Sequence, residues 1–417
     1  MLDVARIRSQ FPALKRPLVF FDNPGGTQTV RHCLDGFQYY LTHHNANHGG
    51  GFSTSRESDA MVDEARAAAA DLLNASRPEE IIFGLNMTSL TYNLSRAILK
   101  TFNPGEKIVV THMDHDANIT PWIQAAEDRG CDVHWVDFNK DRGVLNLDDL
   151  QAALDEKPRL LAVGYASNAL GTINPLPKII EMAHAAGALV YVDAVQYAPH
   201  GSIDVQKLDC DFLVCSAYKF FGPHLGILYG RYNLLEKIPA YRVRPAPQLP
   251  PGKFETGTAP FESICAFKGT MKYLLWLGRE YGQQNDESNA NTDIGRVHLF
   301  KEAMHVIQEY EQMISRAMLT GLLSLADVRL YGPSDVENLE GRVPTFSFTV
   351  KGWTPRKVAQ RMDEAGINVW NGNFYALAVT QHLGLEQAGG LVRVGPVHYN
   401  TLEEVDQFFT VMHELCG

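Results

Sequence analysis

Seven short apolar runs separated by helix-like stretches constrain this chain more than any other feature. They lie at residues 80–85, 107–112, 132–137, 160–165, 188–193, 212–216 and 226–230. Helical patterns flank most of them, for example at 59–73, 89–100 and 176–186, and Asn103-Pro104-Gly105, Gly171 and Ala186-Gly187-Ala188 supply turns. Apolar strands alternating with helices build βαβ units and a mostly parallel sheet covered on both faces. The expected class is therefore α/β.

A Pro-rich stretch at 244–252 interrupts the pattern, being too stiff for a helix or a central strand. Helical sequence follows at 261–277 and 286–323. After it the order is strand, strand, helix, strand, strand, helix, with strands at 328–331, 345–350, 367–370 and 391–394. Thr354-Pro355 supplies an N-cap followed by a Pro at the first helical position. Thr401-Leu402-Glu403-Glu404 has the spacing of a capping box. This divides the chain into an N-terminal segment (1–25), a large domain (26–260), and linking helices with a smaller α+β domain (261–417).

With 417 residues, 45% of them apolar, the chain can bury a core for two domains. Its net charge of -11 argues against a nucleic-acid partner, which favours a basic face. No run of about 18 apolar residues is long enough to span a membrane, and the first residues lack the apolar core of a secretory signal. The six cysteines form no C-x-x-C pair, disulfide framework or zinc pattern. The expectation is a soluble, reduced, cytoplasmic protein.

The chemistry sits in two adjacent runs. Tyr191-Val192-Asp193-Ala194-Val195-Gln196 is followed 20 residues on by Ser216-Ala217-Tyr218-Lys219. In an open α/β sheet, ligands bind outside the carboxyl ends of strands, so Asp193, Ser216 and Lys219 should face one pocket. Such a set suits pyridoxal 5′-phosphate (PLP). A carboxylate keeps the ring nitrogen protonated, and a buried lysine of lowered pKa carries the cofactor and shuttles a proton. The alternative for the pair alone, a loop lysine at Lys219 and a helix cap at Asp193, carries less weight.

From Phe21-Asp22-Asn23 to its end, the sequence resembles the class V aminotransferases of fold type I, and among them most closely the cysteine desulfurases. The resemblance implies PLP as a Schiff base on Lys219, Asp193 at the pyridine nitrogen and Gln196 by the phenolic oxygen. It puts Ser216 at the phosphate, with Tyr218 where the family has a histidine; a tyrosine hydroxyl can still donate there. Asp114-His115-Asp116-Ala117-Asn118-Ile119-Thr120-Pro121-Trp122 is similar to H-x-A-N-x-x-P-W, which makes His115 the ring-stacking residue. Ser167-Asn168-Ala169-Leu170-Gly171-Thr172 places Asn168 near the ring. Asn86-Met87-Thr88-Ser89 opens a helix, a natural phosphate site, and points to Thr88 and Ser89; an ordinary N-cap accounts for them equally well. Phe254-Glu255-Thr256-Gly257-Thr258 resembles the segment that reaches the partner subunit's cofactor, implying a homodimer with Gly257 and Thr258 at a shared site. Arg393, in Leu391-Val392-Arg393-Val394, matches the clamp for the substrate carboxylate, a task suited to a guanidinium fork.

Two departures matter. Where desulfurases of this group carry a loop cysteine, this chain has Trp370-Asn371-Gly372-Asn373-Phe374-Tyr375-Ala376, with Tyr375 at the cysteine's position. Sulfur transfer through an enzyme thiolate is then not expected. Where the family has H-R-G, this chain has His48-Gly49-Gly50, and His48 could supply charge near the substrate or be an exposed loop residue. His48 and Asn371 join Arg393 as candidate substrate contacts.

The expected function is a desulfurase-like C–S β-elimination lyase acting on an amino acid, with Lys219 moving the Cα proton and Tyr375 as general acid. An aminotransferase or amino-acid epimerase of class V is the alternative. A PLP-binding protein without catalysis fits the complete residue set least. No metal is expected at the site.

Overall fold

The computed structural model describes residues 2–282 and 293–416. Its main sheet has seven strands: β1 (Ile81–Gly84), β2 (Lys107–Thr111), β3 (Asp132–Val136), β4 (Leu160–Gly164), β5 (Leu189–Asp193), β6 (Phe212–Ser216) and β7 (Gly226–Gly230). Their spatial order is β1-β7-β6-β5-β4-β2-β3. β7 runs antiparallel to both neighbours, and the other strands are mutually parallel.

The central strands are buried along their whole length because helices cover both faces. Leu161, Val163, Val190 and Val192 pack into one core layer; Leu160, Ala162, Tyr191 and Val214 pack into the other. Full burial of each Val or Leu side chain among them contributes about 1.5–3 kcal/mol. β3, at the sheet edge, is mixed in burial and carries His134 and Trp135 instead of an unbroken apolar run.

Helix α1 (Arg31–His43) lies against the long helix α6 (Phe261–Tyr281). Glycines permit this contact: a Cβ on Gly269 would lie 2.0 Å from the His32 carbonyl oxygen. Between them in sequence come α2 (Ser53–Leu73), α3 (Met87–Leu99), α4 (Thr120–Arg129) and α5 (Leu176–Ala185). Helix α2 starts six residues before the expected 59, because its first turns are polar and show no apolar period. Helix α7 (Asp293–Ser324) covers most of the expected second long helix; residues 286–292 of that expectation lie outside the described residues.

A second sheet holds β8 (Val328–Tyr331), β9 (Phe346–Val350), β10 (Trp370–Gly372) and β11 (Leu391–Val394), all antiparallel in the order β8-β9-β11-β10. Helix α8 (Pro355–Glu364) begins with Lys357 N–H donating to Thr354 Oγ1. Helix α9 (Leu402–Cys416) closes the predicted capping box, with Glu404 N–H on Thr401 Oγ1 (3.2 Å) and Thr401 N–H on Glu404 Oε2 (3.1 Å).

The expected strand at 367–370 splits. Ile367–Asn368 pairs in parallel with Val19–Phe20 from the N-terminal segment, and Trp370 begins β10. No helix among the described residues is long and apolar enough to cross a membrane. All six cysteines are free thiols.

Candidate active site

The parallel strands deliver their carboxyl ends to one side of the sheet, and a cavity lies there. Asp193 ends β5, and Lys219 follows β6 in a single 3₁₀ turn, Ala217–Lys219. Both line the cavity. Asp193 Oδ1 accepts from Val195 N–H at 2.9 Å. Burial pushes its carboxyl up to about 6 against that bond and the Lys219 charge. Lys219 Nζ donates to the Pro24 carbonyl. Burial, helped by the Arg393 charge and opposed by Asp193, lowers its amine to about 7. The site thus holds an amine that is partly neutral near physiological pH beside a carboxylate.

Next to Asp193 lies a second buried carboxyl that the sequence reading did not single out. Asp114 lines the cavity and accepts from Gly164 N–H (2.8 Å) and Asn118 Nδ2 (3.0 Å). Gly164 pairs in register with Asp193, and a Cβ there would stand 2.7 Å from Asp114 Oδ1. Burial and the neighbouring Asp193 push Asp114 up to about 8, so the two carboxyls carry mainly one charge near neutrality.

His115 lines the cavity with its ring against Tyr375, 5.7 Å between centroids and 18° between planes. Its Nδ1 accepts from Ala117 N–H (3.0 Å), and burial holds the imidazole neutral, down to about 3. Asn168, Gln196, Tyr218 and Thr88 also line the cavity. Gln196 Nε2 donates to Thr345 Oγ1 (3.0 Å), and the Tyr218 ring stacks on His224. The buried Oδ1 of Asn168 has no partner.

Arg393 is 4% exposed, and its Nη1 donates to the Asn168 carbonyl at 2.8 Å while Nε has no partner. Its guanidinium lies 4.3 Å from the centre of the Phe374 ring. Burial pulls it down to about 9 against the Asp22 and Tyr218 charges. Tyr375 is 74% exposed with its ring against His115, and neither it nor Arg393 lines the cavity itself.

Several expected site residues lie elsewhere. Ser216 is buried, its Oγ accepting Met87 N–H (3.0 Å) at the start of α3 behind the cavity wall. Ser89 is exposed and satisfies the cap instead: its N–H binds Asn86 Oδ1 (2.9 Å) and its hydroxyl the Asn86 carbonyl (3.0 Å). Asn371 sits on β10 opposite Val392 and does not line the cavity. His48 is exposed near Phe261, and Gly257 and Thr258 are exposed outside the cavity; none of the three reaches it in the single chain.

The class-V aminotransferase family model matches residues 19–302 and 296–408. The chain belongs to the class-V aminotransferase family. An aminotransferase-like protein, FGM3, of Gibberella zeae is 33% identical over 98% of this chain and 97% of its own length. A cysteine desulfurase of Pectobacterium atrosepticum is 30% identical over 99% of both chains. The apo structure of a cysteine desulfurase from Thermococcus onnurineus superposes with a TM-score of 0.87 at 28% identity, covering 100% of this chain and 98% of that one. This class-V protein is thus a PLP-dependent, cysteine desulfurase-like enzyme of fold type I. Its cavity suits that cofactor chemically: a buried amine, a buried carboxylate and a neutral flat imidazole line one space.

Proposed function

We propose that this enzyme is a carbon–sulfur lyase acting on cysteine or a related amino acid. The observation that carries the reading is the convergence of Lys219 and Asp193, from consecutive strands, on one buried cavity. Lys219 would tether the cofactor, with Asp193 at its ring nitrogen and His115 against its face. Asn168 and Gln196 would hold the ring's oxygen side, while Thr88 and Tyr218 would hold the phosphate. When bound, PLP accepts the electron pair freed at the substrate Cα.

The protein's own groups do the rest. Arg393, buried with an unpartnered Nε, binds the substrate carboxylate. The Lys219 amine, neutral in part near pH 7, takes the Cα proton. Tyr375, whose ring lies against the cavity residue His115, donates a proton to the departing sulfur, and the remaining three-carbon unit hydrolyses to pyruvate and ammonia. Among the described residues no cysteine lines the cavity, which favours release of the sulfur over its capture on the enzyme.

The active unit is a homodimer in this reading. Leu34, Phe37 and Leu41 of α1 are 40–47% exposed, and Phe52 and Leu85 more than half exposed, on a chain that also presents Gly257 and Thr258. A second copy would cover this apolar surface and bring Gly257 and Thr258, with His48, to the neighbouring site. Free thiols fit a reducing, cytoplasmic setting.

Aminotransfer is the second reading, favoured by the name of the Gibberella relative. Incubation of the cofactor-loaded enzyme with L-cysteine, cystine and cysteine sulfoxides separates the two. Pyruvate with ammonia supports the lyase. Sulfide with alanine means desulfuration despite Tyr375, and amino transfer to a keto acid without ammonia means an aminotransferase.

A further inference from the structure

The clamp arginine is held by a closed ring of three residues from three parts of the fold. Arg393 Nη1 donates to the Asn168 carbonyl (2.8 Å), Asn168 Nδ2 donates to the Phe374 carbonyl (2.9 Å), and the Phe374 ring faces the Arg393 guanidinium at 4.3 Å. Asn168 follows β4 of the main sheet, Arg393 lies on β11 of the second sheet, and Phe374 belongs to the loop after β10.

That loop is strained. Phe374 and Tyr375 have φ of 58° and 56°, a left-handed conformation that non-glycine residues seldom adopt in succession. Specific contacts hold it there. Asp116 N–H donates to the Tyr375 carbonyl (2.7 Å), Tyr375 N–H to Asn373 Oδ1 (3.1 Å), and Asn373 Nδ2 to Glu386 Oε1 (3.1 Å). The strained backbone puts consecutive side chains on two targets, Phe374 on Arg393 and Tyr375 on His115.

We propose that Phe374 is a positioning residue for the substrate carboxylate: its ring braces the Arg393 guanidinium, whose Nε is without a partner in the chain and is left for the incoming anion. A buried cation against an aromatic face is stabilised without being neutralised, unlike one paired with a carboxylate that a substrate would have to displace. The site therefore selects α-amino acids with a free carboxylate over the corresponding amines. It also ties the clamp to the loop that carries Tyr375. This inference rests on Arg393 being the carboxylate clamp.

The test is an absorbance titration of the cofactor-loaded enzyme with L-alanine and with ethylamine, which differ only by the carboxylate. In Phe374→Leu the dissociation constant for L-alanine should rise about fivefold, the scale of one cation–π contact, with that for ethylamine unchanged. Phe374→Tyr, which keeps the ring, should bind both ligands as the native enzyme does. Should the leucine variant not fold, Phe374→Met, also flexible and apolar, makes the same comparison. Equal shifts for both ligands, or no shift for either, overturn the role of Phe374. Arg393→Met is the control: if it fails to weaken L-alanine selectively, the clamp assignment itself is wrong and this inference falls with it. If only the arginine variant discriminates, Phe374 alone is excluded.

Discussion

Replacing Lys219 by methionine should make the cofactor-free protein more stable near neutrality, and by an amount that depends on pH. Burial, reinforced by Arg393, lowers the amine from 10.5 to about 7. At about 1.4 kcal/mol per pH step, that gap corresponds to about 5 kcal/mol spent on holding the lysine inside below pH 7. Between the two values the unfolded chain keeps a proton that the folded chain has released, so stability rises with pH across that window. The penalty is full below about 7 and gone above about 10.5. Urea unfolding of cofactor-free native protein and Lys219→Met at about pH 7.5 and about pH 10 should show the variant's advantage shrinking by about 3 kcal/mol. Contributions from methionine packing and the lost Pro24 contact are common to both conditions and cancel. An advantage equal at both pH values would mean that the amine is solvated as usual, and the argument for a neutral base at this site would fail.

Other expected outcomes follow from the same geometry. Asp193→Ala should lose cofactor on gel filtration and lower turnover about 100-fold or more, the scale of removing a charge-stabilising group; normal turnover would contradict its electron-withdrawing role. Tyr375→Phe should slow sulfur release by about 100-fold, with cofactor retained, if the exposed phenol donates the proton; an unchanged rate assigns that proton elsewhere. Phe37→Glu on the exposed face of α1 should convert a dimer to a monomer in sedimentation, and a native protein already monomeric would refute the shared site.

The seven main-sheet strands were legible to within a residue or so because each is an apolar run bounded by turns and buried on both faces. Asp193 and Lys219 could be placed in one pocket because strand ends in a parallel sheet share a side. Pairings over long sequence separation were not legible. Val19–Phe20 is too short to show a pattern, and its partner Ile367–Asn368 lies far along the chain, so the split of the expected strand at 367–370 could not be foreseen. Helix α1 drew no local reading, since its apolar residues are spread over a buried face and an exposed one. Asp114 looked like one acid in a polar run; its burial depends on Gly164, which leaves room for the carboxylate. A helix-cap signal and a phosphate-site signal use the same residue types, and at Ser89 the cap contacts account for both its N–H and its hydroxyl. Phe374 carried no signal at all, because its role depends on a left-handed loop brought against another strand.

The most direct measurement is to reduce the cofactor-loaded enzyme with borohydride, digest it, and locate the pyridoxyl group by mass spectrometry. The modified peptide should contain Lys219. A label on any other lysine, or protein that binds pyridoxal phosphate without covalent capture, would contradict the assignment on which the catalytic account is built.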